Sequence, residues 1–198
     1  GDVYKRQVVL HLDKSPDNEV PMTAHIARTK MPPNAIPELT YLNEELVEYP
    51  EGVADRTEAI NHRLEHAGLT RKIGTNQVRI IRVMLTGTQE DMQHIVQEGR
   101  LKAWCADNLE WLRQTFGAEN VVSAVLHMDE ATPHLHIDFV PFTTGSKRGL
   151  DTRVSLKQAL AKQGFKGGSR GDTEWSQWVQ SEKEQLLSAE YHKQQSSP

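Results

Sequence analysis

Between residues 121 and 142 the apolar and polar positions alternate with a period of two, the mark of extended chain with one buried face. Val121–His127 and His134–Val140 have strand length and are rich in Val, Leu, Ile and Phe. Met128–Pro133 (MDEATP) separates them with an acidic pair and a proline, a composition suited to a hairpin loop. Residues two apart share a face of a strand, so His134, His136, Asp138 and Val140 lie opposite Leu135, Ile137 and Phe139. The first strand sorts the same way, with Ser123, Val125 and His127 against Val122, Ala124 and Leu126. Paired in register, the two strands present one apolar face and one face bearing three histidines.

The same reading predicts the other elements. Val8–Asp13 alternates as a first strand, with Val9, His11 and Asp13 on one side, and Gln77–Leu85 reads as another strand with Arg79 and Arg82 on opposite faces. Residues 53–67 form a helix with Ile60 and Leu64 on one stripe and Gly68 as its stop. Thr88 caps a helical region that ends before Gly117, carries Met92, Ile95, Val96, Trp104, Leu109, Leu112 and Phe116 on its apolar stripe, and is divided at Gly99. Met22–Leu46 is different: three prolines within Met31–Pro37 rule out a continuous helix there. Strand, helix, strand, helix and strand pair add up to an α+β fold, a mostly antiparallel sheet with helices on its apolar face.

Composition adds bounds. A chain of 198 residues suits one domain, a single cysteine (Cys105) offers no disulfide framework, and no signal peptide or long apolar span is visible, so a cytoplasmic protein without a membrane segment is expected. Gly1–Gln7 does not share the alternation of the strand beginning at Val8 and reads as a non-native leader, leaving 8–144 as the core. Residues 145–198 form a basic loop and C-terminal helices of the same domain. Here Lys147, Arg148, Arg153, Lys157, Lys162, Lys166 and Arg170 stand against Asp151 alone, around a short helix at Ser155–Gln163. Asp172–Tyr191 then reads as an amphipathic helix through Trp175, Trp178, Val179 and Leu186. The net charge of −4 does not announce a nucleic-acid partner, but a local basic segment can grip phosphates whatever the total.

Candidate chemistry gathers on the polar face of the hairpin. Three imidazoles meeting at one point suit a divalent transition metal with open positions for substrate, and Asp129 or Glu130 could add a fourth ligand, a supporting hydrogen bond or a general base. His62 and His66, four apart on a charged helix, read instead as a solvated face, and His11 as structural or DNA-facing.

HMDEATPHLH fills every specified position of H-x-D-E-x-x-P-H-x-H, and so resembles the signature of the MobV (Pre/Mob) plasmid mobilisation relaxases, members of the HUH nucleases. HIAR (His25–Arg28) and LNEEL (Leu42–Leu46) resemble two further elements of that family. The resemblance implies an HUH-type fold and a metal-dependent enzyme that nicks and rejoins one strand of transfer-origin DNA while staying bound to its 5′ end. It implies His127, His134 and His136 as metal ligands, with Mn²⁺ ahead of Mg²⁺. By the same resemblance His25 is the nucleophile, with Tyr41 as rival, Arg28 holds a phosphate, and Asn43 and Glu45 support. Glu130 is the residue expected to orient or deprotonate His25. DNA contacts are expected from Arg28, Lys30, Asn43, Arg71, Lys72, Lys147, Arg148 and Arg153. The partners implied are single-stranded or hairpin origin DNA and other mobilisation or conjugation proteins. Two other readings stay open. HLHIDFV fits the histidine-triad nucleotide hydrolases except at Asp138, where their nucleophilic histidine belongs, and a catalytically silent or replication-type DNA-binding module could share the fold.

Overall fold

In a computed structural model the described residues are 9–15, 19–69, 73–74, 78–143 and 153–154. The expected leader, Arg71, Lys72, Lys147, Arg148 and the C-terminal helices lie outside them.

The chain runs β1 (Val9–Ser15), α1 (Val20–Ile26), a 3₁₀ turn (Pro37–Leu42), β2 (Glu44–Glu45), α2 (Arg56–Glu65), β3 (Ile80–Thr86), α3 (Gln89–Gln97), α4 (Leu101–Phe116), a second 3₁₀ turn (Ala118–Asn120), β4 (Val121–His127) and β5 (His134–Phe139). A small ladder of β6 (Phe142–Thr143) and β7 (Arg153–Val154) completes the described chain. Five strands make one antiparallel sheet in the order β1-β3-β5-β4-β2. The hairpin β4–β5 therefore lies inside the sheet, with β3 paired along β5 and the short β2 paired with Leu126 and Val125 of β4.

Burial follows the alternation. Ile81, Val83 and Leu85 of β3, Ala124 and Leu126 of β4, and Leu135, Ile137 and Phe139 of β5 pack against Met92 and Ile95 of α3 and Trp104, Leu109 and Leu112 of α4. The α+β architecture is thus the expected one, and Trp104 is a core residue. On the other face a smaller cluster joins Ala59 and Ile60 of α2 to Ile80, Val122, Val140 and Phe142. It sits toward the end of β4 remote from His127, and a register shift between Val121 and Ser123 turns Val122 into it.

Local signals set the ends of the helices. The Thr88 side chain accepts from the Asp91 amide at 3.1 Å, and Asp55 caps α2 by accepting from Glu58 at 2.8 Å. That cap starts α2 at Arg56, three residues later than its apolar pattern. Gly99, at φ 69°, makes the left-handed residue that separates α3 from α4, as predicted. The largest departure is in 22–46, where a seven-residue helix, α1, precedes the proline-rich arm, with Pro21 at its start, a position that needs no amide hydrogen. It ends as Arg28 turns to φ 60°. The arm then returns to the sheet: the Ile36 amide donates to the Asp129 carbonyl at 2.6 Å, and Leu46 to Ala124 at 2.8 Å.

Candidate active site

The register of the hairpin builds the centre. His127 lies directly opposite His134, and His136 faces Val125 one step along the same side. His11 shares the row of Met84, His136 and Val125 by register. One ring nitrogen from each of His127, His134 and His136 can be chosen so that all three lie within 4.8 Å of one another. The rings meet at steep angles, with centroids 4.7–5.1 Å apart, so they surround a point and do not stack.

Hydrogen bonds behind two of the rings set their tautomers. His127 Nε2 lies 2.8 Å from the Ile26 carbonyl of α1, so that nitrogen carries the hydrogen and Nδ1 keeps its lone pair, with Arg28 Nη2 3.3 Å away. His134 Nδ1 donates to the Thr132 carbonyl at 3.0 Å, which turns Nε2 inward, 3.3 Å from His127 Nδ1. A backbone carbonyl behind the ring is the arrangement that orients metal-binding histidines. Glu130 Oε2 stands 2.7 Å from the same Nε2, so a carboxylate sits beside the imidazoles. Burial pushes the His136 ring down to about 2, helped by the charges of the neighbouring histidines, and the His127 ring down to about 4, where the Ile26 bond opposes the fall and Arg28 adds to it. Three imidazoles that can each turn a ring nitrogen to one point, next to a carboxylate, fit a divalent cation.

The arm closes over this centre. His25 is half-buried in the last turn of α1, and burial lowers its pKa, followed by the charge of Arg28, with Glu130 pulling the other way. The carbonyl of Ile26, the residue after His25, meets His127 Nε2, which sets this end of α1 against the cluster. Arg28 is enclosed, its side chain 2% exposed. It grips Asp129 with two prongs, Nε to Oδ2 at 2.9 Å and Nη2 to Oδ1 at 3.0 Å, reaches Glu130 at 3.3 Å, and donates to the His25 carbonyl at 3.0 Å. The guanidinium expected to hold a phosphate is engaged in latching the arm to the hairpin loop. Burial pushes the Asp129 carboxyl up, but hydrogen bonds from Arg28 and Thr40 outweigh it and hold the group well below the usual carboxylate range.

The remaining expected residues divide. Asn43 accepts the Met128 amide at 2.7 Å and so braces the loop that leads away from His127. Lys30 and Glu45 are exposed, and Tyr41 is 79% exposed on the 3₁₀ turn. Arg82 makes an ion pair with Glu19 at 3.1 Å. His62 of α2 and His66, just past its end, stack on each other at 4.0 Å, His66 exposed and His62 half-buried. Arg153 lies in β7, and only its backbone pairing with Thr143 is described. The sequence reading missed Asn34, which hydrogen-bonds Glu130, and Thr40, which donates to Asp129 at 2.8 Å. It also missed a buried group made of Glu19, Thr23, Arg56 and Asp138. Of these only Asp138 gave a signal, by sharing the histidine face.

Residues 11–193 match the Mob_Pre family, described as plasmid recombination enzyme. Among relatives, the type 1 plasmid recombination enzyme of Staphylococcus aureus is 32% identical over 90 residues, which cover 46% of this chain and 21% of that protein. The Bacillus thuringiensis plasmid recombination enzyme is 25% identical over 122 residues, covering 62% and 25%. A 65 kDa protein of Zymomonas mobilis is 32% identical over 117 residues, covering 59% and 20%. The chain therefore spans a third or less of the length of these relatives. Among solved structures, the MobM relaxase domain, Mn-bound and on a 22-nucleotide piece of plasmid pMV158 oriT DNA, superposes with a TM-score of 0.62 at 22% identity, covering 82% of this chain and 91% of that one. At that identity the likeness establishes the fold.

Proposed function

The chain belongs to the Mob_Pre family of plasmid recombination enzymes, and from that premise we propose that it is a plasmid mobilisation relaxase, which nicks and rejoins one strand of transfer-origin DNA through a bond between His25 and the 5′ phosphate. The observation that carries this reading is the convergence of three imidazoles beside the helix end that bears His25. His127, His134 and His136 would hold the cation, with Glu130 beside them. Mn²⁺ is our first choice, since the structural neighbour is Mn-bound, and Mg²⁺ the second. Bound there, the cation supplies Lewis-acid polarisation of the scissile phosphate.

The chain's own residues supply the rest. A lowered pKa keeps the His25 imidazole neutral near pH 7, so one ring nitrogen has a lone pair to attack phosphorus. A phosphorus–nitrogen bond forms, the bond to the 3′ oxygen breaks, and that oxygen leaves with a proton from solvent. To Glu130, the carboxylate beside His134, we assign the removal of the proton from the other ring nitrogen of His25. Rejoining reverses the step, with the 3′ hydroxyl attacking and His25 leaving. Arg28 and Asp129 hold the arm in place, and their compensated charges leave phosphate binding to more open groups. We assign that task to Lys30, Arg71, Lys72, Lys147, Arg148 and Arg153, and the orientation of the loop after His127 to Asn43. We take 8–144 as the core and 145–198 as its continuation, which the family match to residue 193 supports. No helix among the described residues is long and apolar enough to cross a membrane. We place the enzyme in the cytoplasm with its DNA and with any other mobilisation proteins.

The histidine-triad reading loses support from Asp138. That residue occupies the position of the third histidine, and Arg56 holds both its carboxylate oxygens.

The test is incubation with Mn²⁺ and supercoiled DNA carrying the sequence around the chain's own coding region, followed by peptide mapping of the detergent-resistant adduct. A phosphoramidate on His25 is expected, with nicking reduced about a hundredfold or more in His134→Ala at matched folding. An adduct on Tyr41 would overturn the nucleophile, and full activity of His134→Ala would remove the metal centre.

A further inference from the structure

Arg56 opens α2 in a charged stretch of sequence, yet it is only 3% exposed. Its guanidinium touches three residues outside its own helix. Nε meets Asp138 Oδ2 at 2.8 Å and Nη2 meets Oδ1 at 3.0 Å, both on β5. Nη2 also donates to Glu19 Oε1 at 2.7 Å, at the residue before α1, and Nη1 to Thr23 Oγ1 at 3.3 Å within α1. The neighbouring Thr57 donates to Thr23 as well, at 2.7 Å. Taking a guanidinium and two carboxylates out of water is costly, and apolar residues of the same size often stabilise a fold as well or better. Stability alone does not account for this group.

What the contacts join offers a better account. Asp138 lies two residues along β5 from His136 on the same face, and Thr23 lies two residues before His25 in α1. One side chain thus connects the strand bearing two of the clustered histidines to the helix bearing the proposed nucleophile. Resting on that assignment of His25, we infer that Arg56 is a positioning residue which, through Asp138, Glu19 and Thr23, sets the distance between His25 and the histidine cluster.

The short helix needs such a tie. α1 has seven residues, lacks a side-chain N-cap and follows Glu19 in the left-handed conformation at φ 57°. Its C-terminal end is held by His127 on the Ile26 carbonyl, and its N-terminal half by Arg56. Two fixed points give the helix one orientation, and His25 lies in the turn between them. Arginine suits the place because its planar fork can grip a carboxylate with two bonds while a third donor reaches elsewhere, which a lysine ammonium cannot do in the same geometry.

The experiment compares Arg56→Lys, Thr23→Val and His25→Ala in the 198-residue chain, with Mn²⁺ and the DNA segment found in the adduct test. Single-turnover nicking at saturating DNA should fall about a hundredfold in Arg56→Lys, the scale expected for misplacing a reacting group by about an ångström. Half-saturation by DNA and Mn²⁺ affinity should stay at the parental values. Thr23→Val, which leaves the Asp138 pair intact and keeps the test alive if Arg56→Lys does not fold, should show a smaller fall of the same kind. Without DNA, trace Mn²⁺ should broaden the His25 ring resonances less in both variants, since that effect drops steeply with distance. Parental nicking rates or unchanged broadening in the folded variants would overturn the inference, with His25→Ala inactive and the nucleophile assignment intact. So would a loss of rate that only follows the folded fraction. An active His25→Ala would instead bring down the assignment on which the inference rests.

Discussion

The tuning of single residues at the centre has a consequence for stability. His127 and His136 are held neutral by burial, their pKa values lowered from 6.5 to about 4 and about 2. In the unfolded chain they take up protons near pH 6.5, so between that pH and their folded values the unfolded state binds more protons. Stability contributed by the neutral rings is complete above pH 6.5 and declines as the pH falls through the window below it. Asp129 adds a second decline: its folded pKa is depressed from 3.8, so its contribution is lost as the pH falls below about 4. Denaturant unfolding of the metal-free chain should show two stages of weakening, one starting near pH 6.5 and one near 4. His136→Gln should flatten the first stage and leave the second. A stability profile level from about pH 7 to about 5 would contradict the buried, neutral centre.

At the scale of elements, the critical joint is between the proline-rich arm and the β4–β5 loop. Prolines keep residues 31–37 from forming a helix that would carry α1 away, and Thr40, Arg28 and the Ile36 amide attach the arm to Asp129. Asp129 is fully buried and Arg28 nearly so, so this ion pair differs from exposed ones, which contribute little. Asp129→Asn takes the two-pronged charge partner from a buried guanidinium and leaves it only Glu130 at 3.3 Å, and destabilisation of about 3 kcal/mol is expected. The measurement is the denaturant midpoint, with limited proteolysis of the arm as a local check. The arm should become cleavable before the sheet unfolds, because the core around Ile137 and Phe139 shares none of these contacts. An unchanged midpoint would mean that the latch carries no energy.

For the whole molecule, the balance of charge makes DNA binding a local matter. The chain carries a net −4, so attraction for phosphates has to come from clusters such as the seven basic residues of 145–171. Replacing Lys147, Arg148 and Arg153 together by Gln should weaken single-strand binding and flatten the dependence of log K on log salt by about 0.7 for each phosphate no longer neutralised. Fluorescence anisotropy over a salt series measures that slope, and an unchanged slope would exclude these side chains from the interface.

How much of this was readable in advance depended on the range of the interactions. Alternation in 121–142 was enough to predict the hairpin, its two faces except at Val122, which a register shift moves to the other side, and the clustering of His127, His134 and His136, because a period of two assigns faces without knowledge of anything distant. Thr88 and Gly99 marked helix ends for the same local reason. The HIAR stretch could be picked out by its likeness to a family, but its geometry could not, since a seven-residue helix has little stability of its own and forms where the sheet and α2 hold it.

Pairings across long separations were decided by tertiary structure alone. Arg28 meets Asp129 across 101 residues and Arg56 meets Asp138 across 82, and no local pattern distinguishes those arginines from solvated ones. The sequence by itself determined which faces the side chains take, through backbone geometry and the exclusion of apolar groups from water. Only the folded chain decided which buried charges neutralise one another, because burying a charge is tolerable only where the packing of distant segments delivers a partner to it.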